Sequence, residues 1–165
     1  FISSSKIQKA IDVIAKKINK DLKGKNPLFL SVLNGSFMFT SDLLKKVKIG
    51  SEVSFVKISS YSGAASTGNT KMLIGINENL KDRTVIILED IVDSGNTLEK
   101  ILSELKDLSP REIKIATLFF KPDAYQKKIR LDYVGIEVPN DFIVGFGLDY
   151  NGLGRNLSDI YTLKS

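Results

Sequence analysis

The sequence predicts an α/β fold with a mainly parallel central sheet flanked by helices, and a small hood built from its N- and C-terminal segments. Three observations point there. Short apolar runs rich in β-formers alternate with stretches whose apolar residues recur every three to four positions. Ile113 to Phe120 is almost continuously apolar, the pattern of a strand buried on both faces of a parallel sheet. The C-terminal part breaks the alternation with several strand-like runs, which predicts a separate small substructure.

The chain has 165 residues, 42% hydrophobic and 26% charged, which fits a single domain over 1–165 with a continuous core. It contains neither cysteine nor histidine. Disulfides, thiolate metal sites and imidazole chemistry are therefore excluded, and any acid–base or metal chemistry falls to carboxylates, lysines or tyrosines. No apolar run reaches the length of a membrane span, and Phe1-Ile2-Ser3-Ser4-Ser5 is not a signal peptide, so a cytoplasmic location with no membrane partner is expected. Opening on Phe rather than Met predicts a few native residues upstream. The formal charge of +5 comes from dispersed lysines rather than a clustered basic face, which argues against a nucleic-acid partner.

Taken in order, Ile7, Ile11, Ile14, Ile18 and Leu22 recur at helical spacing and stop at Gly24, predicting an amphipathic first helix. Leu28 to Leu33 reads as a strand ending at Asn34-Gly35, and Phe37, Met38, Leu43 and Leu44 predict a second helix. Val53 to Ile58 is a further strand. Residues 59–71, with glycines, small polar residues and no apolar period, read as a long mobile loop of the length used for lids. Met72 to Ile76 and Thr84 to Leu88 are predicted strands. Leu98, Ile101, Leu102, Leu105 and Leu108 share one helical face. Tyr133 to Val138, Phe142 to Leu148 and Ile160 to Leu163 read as strands of the hood, completed by the first helix.

The chemistry sits in Val85 to Leu98, V-I-I-L-E-D-I-V-D-S-G-N-T-L. An apolar strand runs into two adjacent acids, then a turn, then a helix. In open α/β sheets ligands bind at the carboxyl ends of strands, which places Glu89 and Asp90 at a crevice. Ser94, Gly95, Asn96 and Thr97 supply hydroxyls, a glycine and helix N-terminal amides, a combination suited to a phosphate. Hard carboxylate oxygens beside it suit Mg²⁺. Taken alone, the same residues also fit a solvated acid pair with Asp93 as an ordinary helix cap.

This stretch resembles the phosphoribosyl-pyrophosphate motif of the type I phosphoribosyltransferases, an acid pair between apolar residues closed by Asp-Thr/Ser-Gly-x-Thr. Other blocks are similar to the hypoxanthine-guanine branch of that family: L-N-G-S-F-M-F from Leu33, S-S-Y from Ser59 with S-T-G at Ser66 to Gly68, F-F-K-P from Phe119, and F-I-V-G-F-G-L-D-Y-N from Phe142. They stand in the family's order and span nearly the whole chain. The resemblance implies transfer of a phosphoribosyl group from phosphoribosyl pyrophosphate to hypoxanthine or guanine with Mg²⁺, in a homodimer or homotetramer.

On that resemblance, Leu33, Asn34 and Gly35 form the pyrophosphate loop, often with a cis peptide at Leu33-Asn34. Glu89 and Asp90 face the ribose hydroxyls and their magnesium, and Asp93 to Thr97 wrap the 5′-phosphate. Asp93 also faces the purine N7 as general base. Lys121 meets the 6-oxo group, Phe142 stacks on the base, the backbone of Ile143 meets its edge, Asp149 belongs to the purine side and a second metal, and Arg155 lies near pyrophosphate. Ser60 and Tyr61 belong to the lid. Asn34 replaces the commoner lysine of that loop, which removes a cation from this position. Two alternatives stay open: a non-catalytic sensor of phosphoribosyl pyrophosphate that binds nucleic acid, and a xanthine-preferring transferase. Adenine is disfavoured, because an ammonium cannot usefully donate to a 6-amino group.

Overall fold

The computed structural model describes residues 1–59 and 71–162. Helix α1 (Ser4–Asp21) is followed by strand β1 (Leu28–Leu33), helix α2 (Phe37–Leu44), strands β2 (Glu52–Ser59), β3 (Lys71–Ile74) and β4 (Thr84–Val92), and helix α3 (Asn96–Lys106). Strands β5 (Glu112–Phe120), β6 (Tyr133–Glu137), β7 (Ile143–Val144) and β8 (Tyr161–Thr162) complete the chain. The main sheet has the order β3-β2-β1-β4-β5-β6. Its five strands from β2 to β6 are parallel, and β3 is antiparallel at one edge. The predicted α/β fold with a mainly parallel sheet is the one observed.

Both faces of the sheet are covered. The predicted spacing of α1 is realised, since Ile7, Ile11, Ile14, Ile18 and Leu22 are all buried. They pack with Phe39 and Leu43 of α2 against Phe29, Ile86, Leu88, Ala116 and Leu118. The opposite face carries Leu98, Ile101 and Leu105 of α3 over Leu30, Val56, Val85, Ile87 and Ile115. Each of these isoleucine, leucine, valine and phenylalanine side chains contributes about 1.5–3 kcal/mol by leaving water. Leu108 falls beyond the end of α3 and is exposed.

Three expectations need correction. Strand β4 runs on through the acid pair to Val92 rather than stopping at Leu88, because Ile91 and Val92 stay in register with Phe119 and Phe120 of β5. Tyr133–Glu137 joins the main sheet beside β5 instead of the hood. Helix α1 lies on the sheet face and meets the hood at its start, where Ile2, just before the helix, and Ile160 exchange backbone hydrogen bonds and Ser4 N–H donates to Asp159. The hood itself is the antiparallel pair β7–β8. Of the loop expected over 59–71, Ser59 ends β2 and Lys71 begins β3. Its interior, including Ser60 and Tyr61, lies outside the described residues, as does Leu163.

The order in which strands are added to the sheet reverses between the parallel neighbours β1 and β4. From β1 the connection winds outward to β2, and from β4 it winds the other way to β5. Their carboxyl ends open a crevice at that switch point, where ligands of such sheets bind.

Candidate active site

The crevice holds the end of β1, the end of β4 and the turn into α3. A cavity of about 310 Å³ is lined by Leu33 and Gly35, by Glu89 and Asp90, and by Asp93 through Thr97. Gly95 takes φ +86° as the N-cap of α3, a left-handed conformation that favours glycine. A Cβ there would stand 2.6 Å from the Tyr125 ring. The turn is thus closed from outside, leaving the backbone of α3's first turn facing the cavity.

Consecutive residues of a strand point to opposite faces. Glu89 therefore follows Ile87 toward the α3 side, and Asp90 follows Leu88 toward α2. Asp90 lies against Gly35, where a Cβ would collide with its carboxylate. Burial pushes both acids up. Glu89 rises well above the usual carboxylate range, helped by the charge of Asp90. Asp90 is pushed up to about 6 by burial, against backbone hydrogen bonds and Arg155, which pull it down.

A second cavity of about 210 Å³ adjoins the first and shares Asp90, Ile91 and Asp93 with it. Its remaining walls are Lys121, Phe142, Ile143, Leu148, Asp149 and Arg155. Lys121 is buried, and its ammonium donates to Asp93 Oδ2 at 3.1 Å. Phe142 stays half exposed and stands edge-on to Tyr150, with ring centroids 5.8 Å apart. An aromatic wall facing a lysine suits a flat heterocycle bearing an acceptor.

The structure brings the site residues expected from the sequence within its described part to the two cavities, with one exception and one change of place. Asn34 is exposed and lines neither cavity, although the Leu33-Asn34 peptide is cis as the resemblance implies. Arg155 lies on the wall of the second cavity, ion-paired with Asp149 and donating to the Gly147 carbonyl at 2.6 Å. Gly147, which sequence reasoning did not single out, presses on the Gly35 carbonyl so closely that a Cβ would collide with it. Its only signal is its place between Phe146 and Leu148 in the F-G-L-D block. Ile91 and Leu148 line the cavities as parts of motifs noted for their polar members.

A divalent cation fits this donor set. Glu89 Oε1 is buried with no hydrogen-bond partner, a hard oxygen in need of a positive charge. Among the described residues no group of three or more carboxylates gathers closely enough to hold an ion alone. A cation would rest on Glu89 and Asp90 and complete its shell with ligand oxygens and water, the habit of Mg²⁺. Asp149 is engaged by Arg155 and by the Gly152 N–H at 2.7 Å.

Residues 3–151 match the phosphoribosyl transferase domain family. The chain belongs to that family. It is 43% identical over 152 residues to the hypoxanthine-guanine phosphoribosyltransferase of Streptococcus pyogenes serotype M3, covering 92% of this chain and 84% of that protein. It is 39% identical over 165 residues to the bifunctional protein TilS/HprT of Listeria monocytogenes. That alignment takes in 99% of this chain, which spans only 26% of the length of the bifunctional relative. The solved hypoxanthine phosphoribosyltransferase of Staphylococcus aureus superposes with a TM-score of 0.93 at 35% identity, over 99% of this chain and 90% of that one. Among the described residues, no helix is long and apolar enough to cross a membrane.

Proposed function

We propose that this phosphoribosyltransferase serves purine salvage, transferring the 5-phosphoribosyl group of phosphoribosyl pyrophosphate to hypoxanthine or guanine to give IMP or GMP and pyrophosphate. The observation that carries the proposal is the common wall of the two cavities. Asp90, Ile91 and Asp93 separate a phosphate-type cavity from a slot whose buried lysine already reaches Asp93. A sugar phosphate in one and a 6-oxopurine in the other would meet across that wall, with the anomeric carbon and purine nitrogen held for reaction.

In this reading Asp93 to Thr97 wrap the 5′-phosphate and the backbone of Leu33 to Gly35 faces the pyrophosphate. Lys121 donates to the 6-oxo group, and Phe142 and Ile143 bound the plane of the base. As the bond to pyrophosphate lengthens, positive charge grows on the ribose ring, and the nearby carboxylates favour it electrostatically. Asp93 accepts the proton that the base sheds at N7, a general-base role requiring no histidine. Glu89 and Asp90 would hold one Mg²⁺ and Asp149 a second, and these ions would supply charge neutralisation for the departing pyrophosphate.

On this reading the enzyme works in the cytoplasm as a homodimer or homotetramer. The deciding experiment is a spectrophotometric assay of nucleotide formation from phosphoribosyl pyrophosphate with hypoxanthine, guanine, xanthine and adenine in turn, with Mg²⁺ and with excess chelator. Product from hypoxanthine or guanine, lost in chelator, is expected. Absence of product with every purine, or use of adenine alone, would overturn the reading.

A further inference from the structure

Behind the loop that closes the first cavity lies a cluster of three hydroxyls that the reaction as proposed does not use. Ser31, Ser36 and Thr40 are all buried, at 0%, 0% and 3% exposure, in a face otherwise made of Phe29, Phe39, Leu43 and Leu88. Ser31 Oγ stands 2.7 Å from both Ser36 Oγ and Thr40 Oγ1, and Ser36 Oγ donates to the Val32 carbonyl at 2.6 Å.

Each hydroxyl has one proton to give. That of Ser36 goes to Val32 O, so Ser36 accepts from Ser31, and Ser31 in turn accepts from Thr40. The order of donation is fixed from Thr40 to Ser31 to Ser36 to the Val32 carbonyl, a single-direction chain whose members polarise one another. Ser36 occupies the N-cap of α2 and yet makes no side-chain bond to the helix amides. It forgoes the capping contact that serine favours there and turns its hydroxyl back across the loop.

The residues this chain encloses are Leu33, Asn34 and Gly35. Their tip is already gripped, with Asp90 against the α-carbon of Gly35 and Gly147 against its carbonyl. The hydroxyl chain holds the other end, where the loop leaves β1 and enters α2.

We infer that Ser31, Ser36 and Thr40 are positioning residues, whose relay of hydroxyls fixes the Leu33–Gly35 backbone edge against which the pyrophosphate end of the sugar phosphate binds. The inference rests on the proposed function for the identity of that ligand. It assigns the three side chains no contact with substrate. Their effect is expected on the donor substrate, because the loop residues they hold, Leu33 and Gly35, line the first cavity and not the purine cavity.

The test uses Ser36→Ala, Thr40→Val, which keeps the shape of threonine without its proton, and Thr40→Ser, which keeps the proton. Steady-state KM is measured for phosphoribosyl pyrophosphate and for hypoxanthine, with calorimetric Kd for inorganic pyrophosphate in Mg²⁺ and melting temperature alongside. Ser36→Ala should raise the donor KM and the pyrophosphate Kd about tenfold, the scale of one buried hydrogen bond, and Thr40→Val about threefold. Hypoxanthine KM should stay within about twofold, and Thr40→Ser should match wild type. If Ser36→Ala does not fold, the Thr40 pair decides alone by the same ordering. Lower melting temperatures with donor KM and pyrophosphate Kd unchanged would make the cluster a packing feature and overturn the inference. A wild-type protein that forms no nucleotide would instead remove the proposed function.

Discussion

Replacing Lys121 with methionine keeps the unbranched stem and deletes only the ammonium. The side chain is 10% exposed and its partner Asp93 50% exposed, with 3.1 Å between Nζ and Oδ2. The two halves of that asymmetry separate stability from binding. Without the ammonium, Asp93 is left where water can reach it, so the loss of the pair should cost the fold about 0–1 kcal/mol. That corresponds to a fall of no more than about 4 °C in melting temperature for a chain of this size. The purine loses a charge-assisted hydrogen bond in a site that water reaches poorly, about 1.5–3 kcal/mol. At 1.4 kcal/mol per tenfold this is a rise of about 10–150-fold in KM for hypoxanthine. The assay pairs steady-state kinetics at saturating donor with a thermal melt. The reasoning fails if Lys121→Met raises KM for phosphoribosyl pyrophosphate while hypoxanthine KM is unchanged, or if the fold collapses in proportion to activity.

Asp93→Asn should preserve binding of both substrates and slow the chemical step by about 10²–10⁴-fold in rapid-quench single turnovers, and an unchanged rate would leave Asp93 a turn residue only. Arg155→Ala should raise KM for phosphoribosyl pyrophosphate, since it releases both Asp149 and the Gly147 carbonyl, whereas Asn34→Ala should be mild because that side chain lines neither cavity. Steady-state kinetics at saturating hypoxanthine and fixed Mg²⁺ compare the two, and a severe loss in Asn34→Ala beside a near-normal Arg155→Ala reverses the assignment. Gly147→Ala adds a Cβ against the Gly35 carbonyl at φ +99°, and overpacking of this kind costs about 1–3 kcal/mol. Both KM values should rise and the melting temperature fall, while wild-type behaviour in both would mean that the hood turn yields freely.

The sequence was legible where local pattern and tertiary environment agree. The isoleucine spacing of α1 survives into the core because the helix buries a single stripe against a flat sheet. The acid pair and its turn could be found because strand, acids, glycine and helix start are contiguous. Tyr133–Glu137 was misplaced for a physical reason: its crossover from β5 through residues 121–132 contains no helix, so the alternation that announces a parallel strand is missing. The extension of β4 to Val92 was hidden because acids end most strand-like runs, and only pairing with Phe119 and Phe120 keeps this one going. Asp149 with Arg155, and Ser31 with Ser36 and Thr40, lie close in sequence but follow no helix or strand period, so their convergence depends on how the intervening turns fold back.

Three residues, Asp90, Ile91 and Asp93, bound both cavities, and thermodynamic linkage attaches a condition to that economy. Any factor by which pyrophosphate, bound on one side, changes the affinity for a purine on the other must equal the factor by which the purine changes the affinity for pyrophosphate. A substitution at Asp90 or Ile91 touches both cavities at once, whereas Lys121, Phe142 and Ile143 line only the second, so selectivity between purines is most freely set on those far walls.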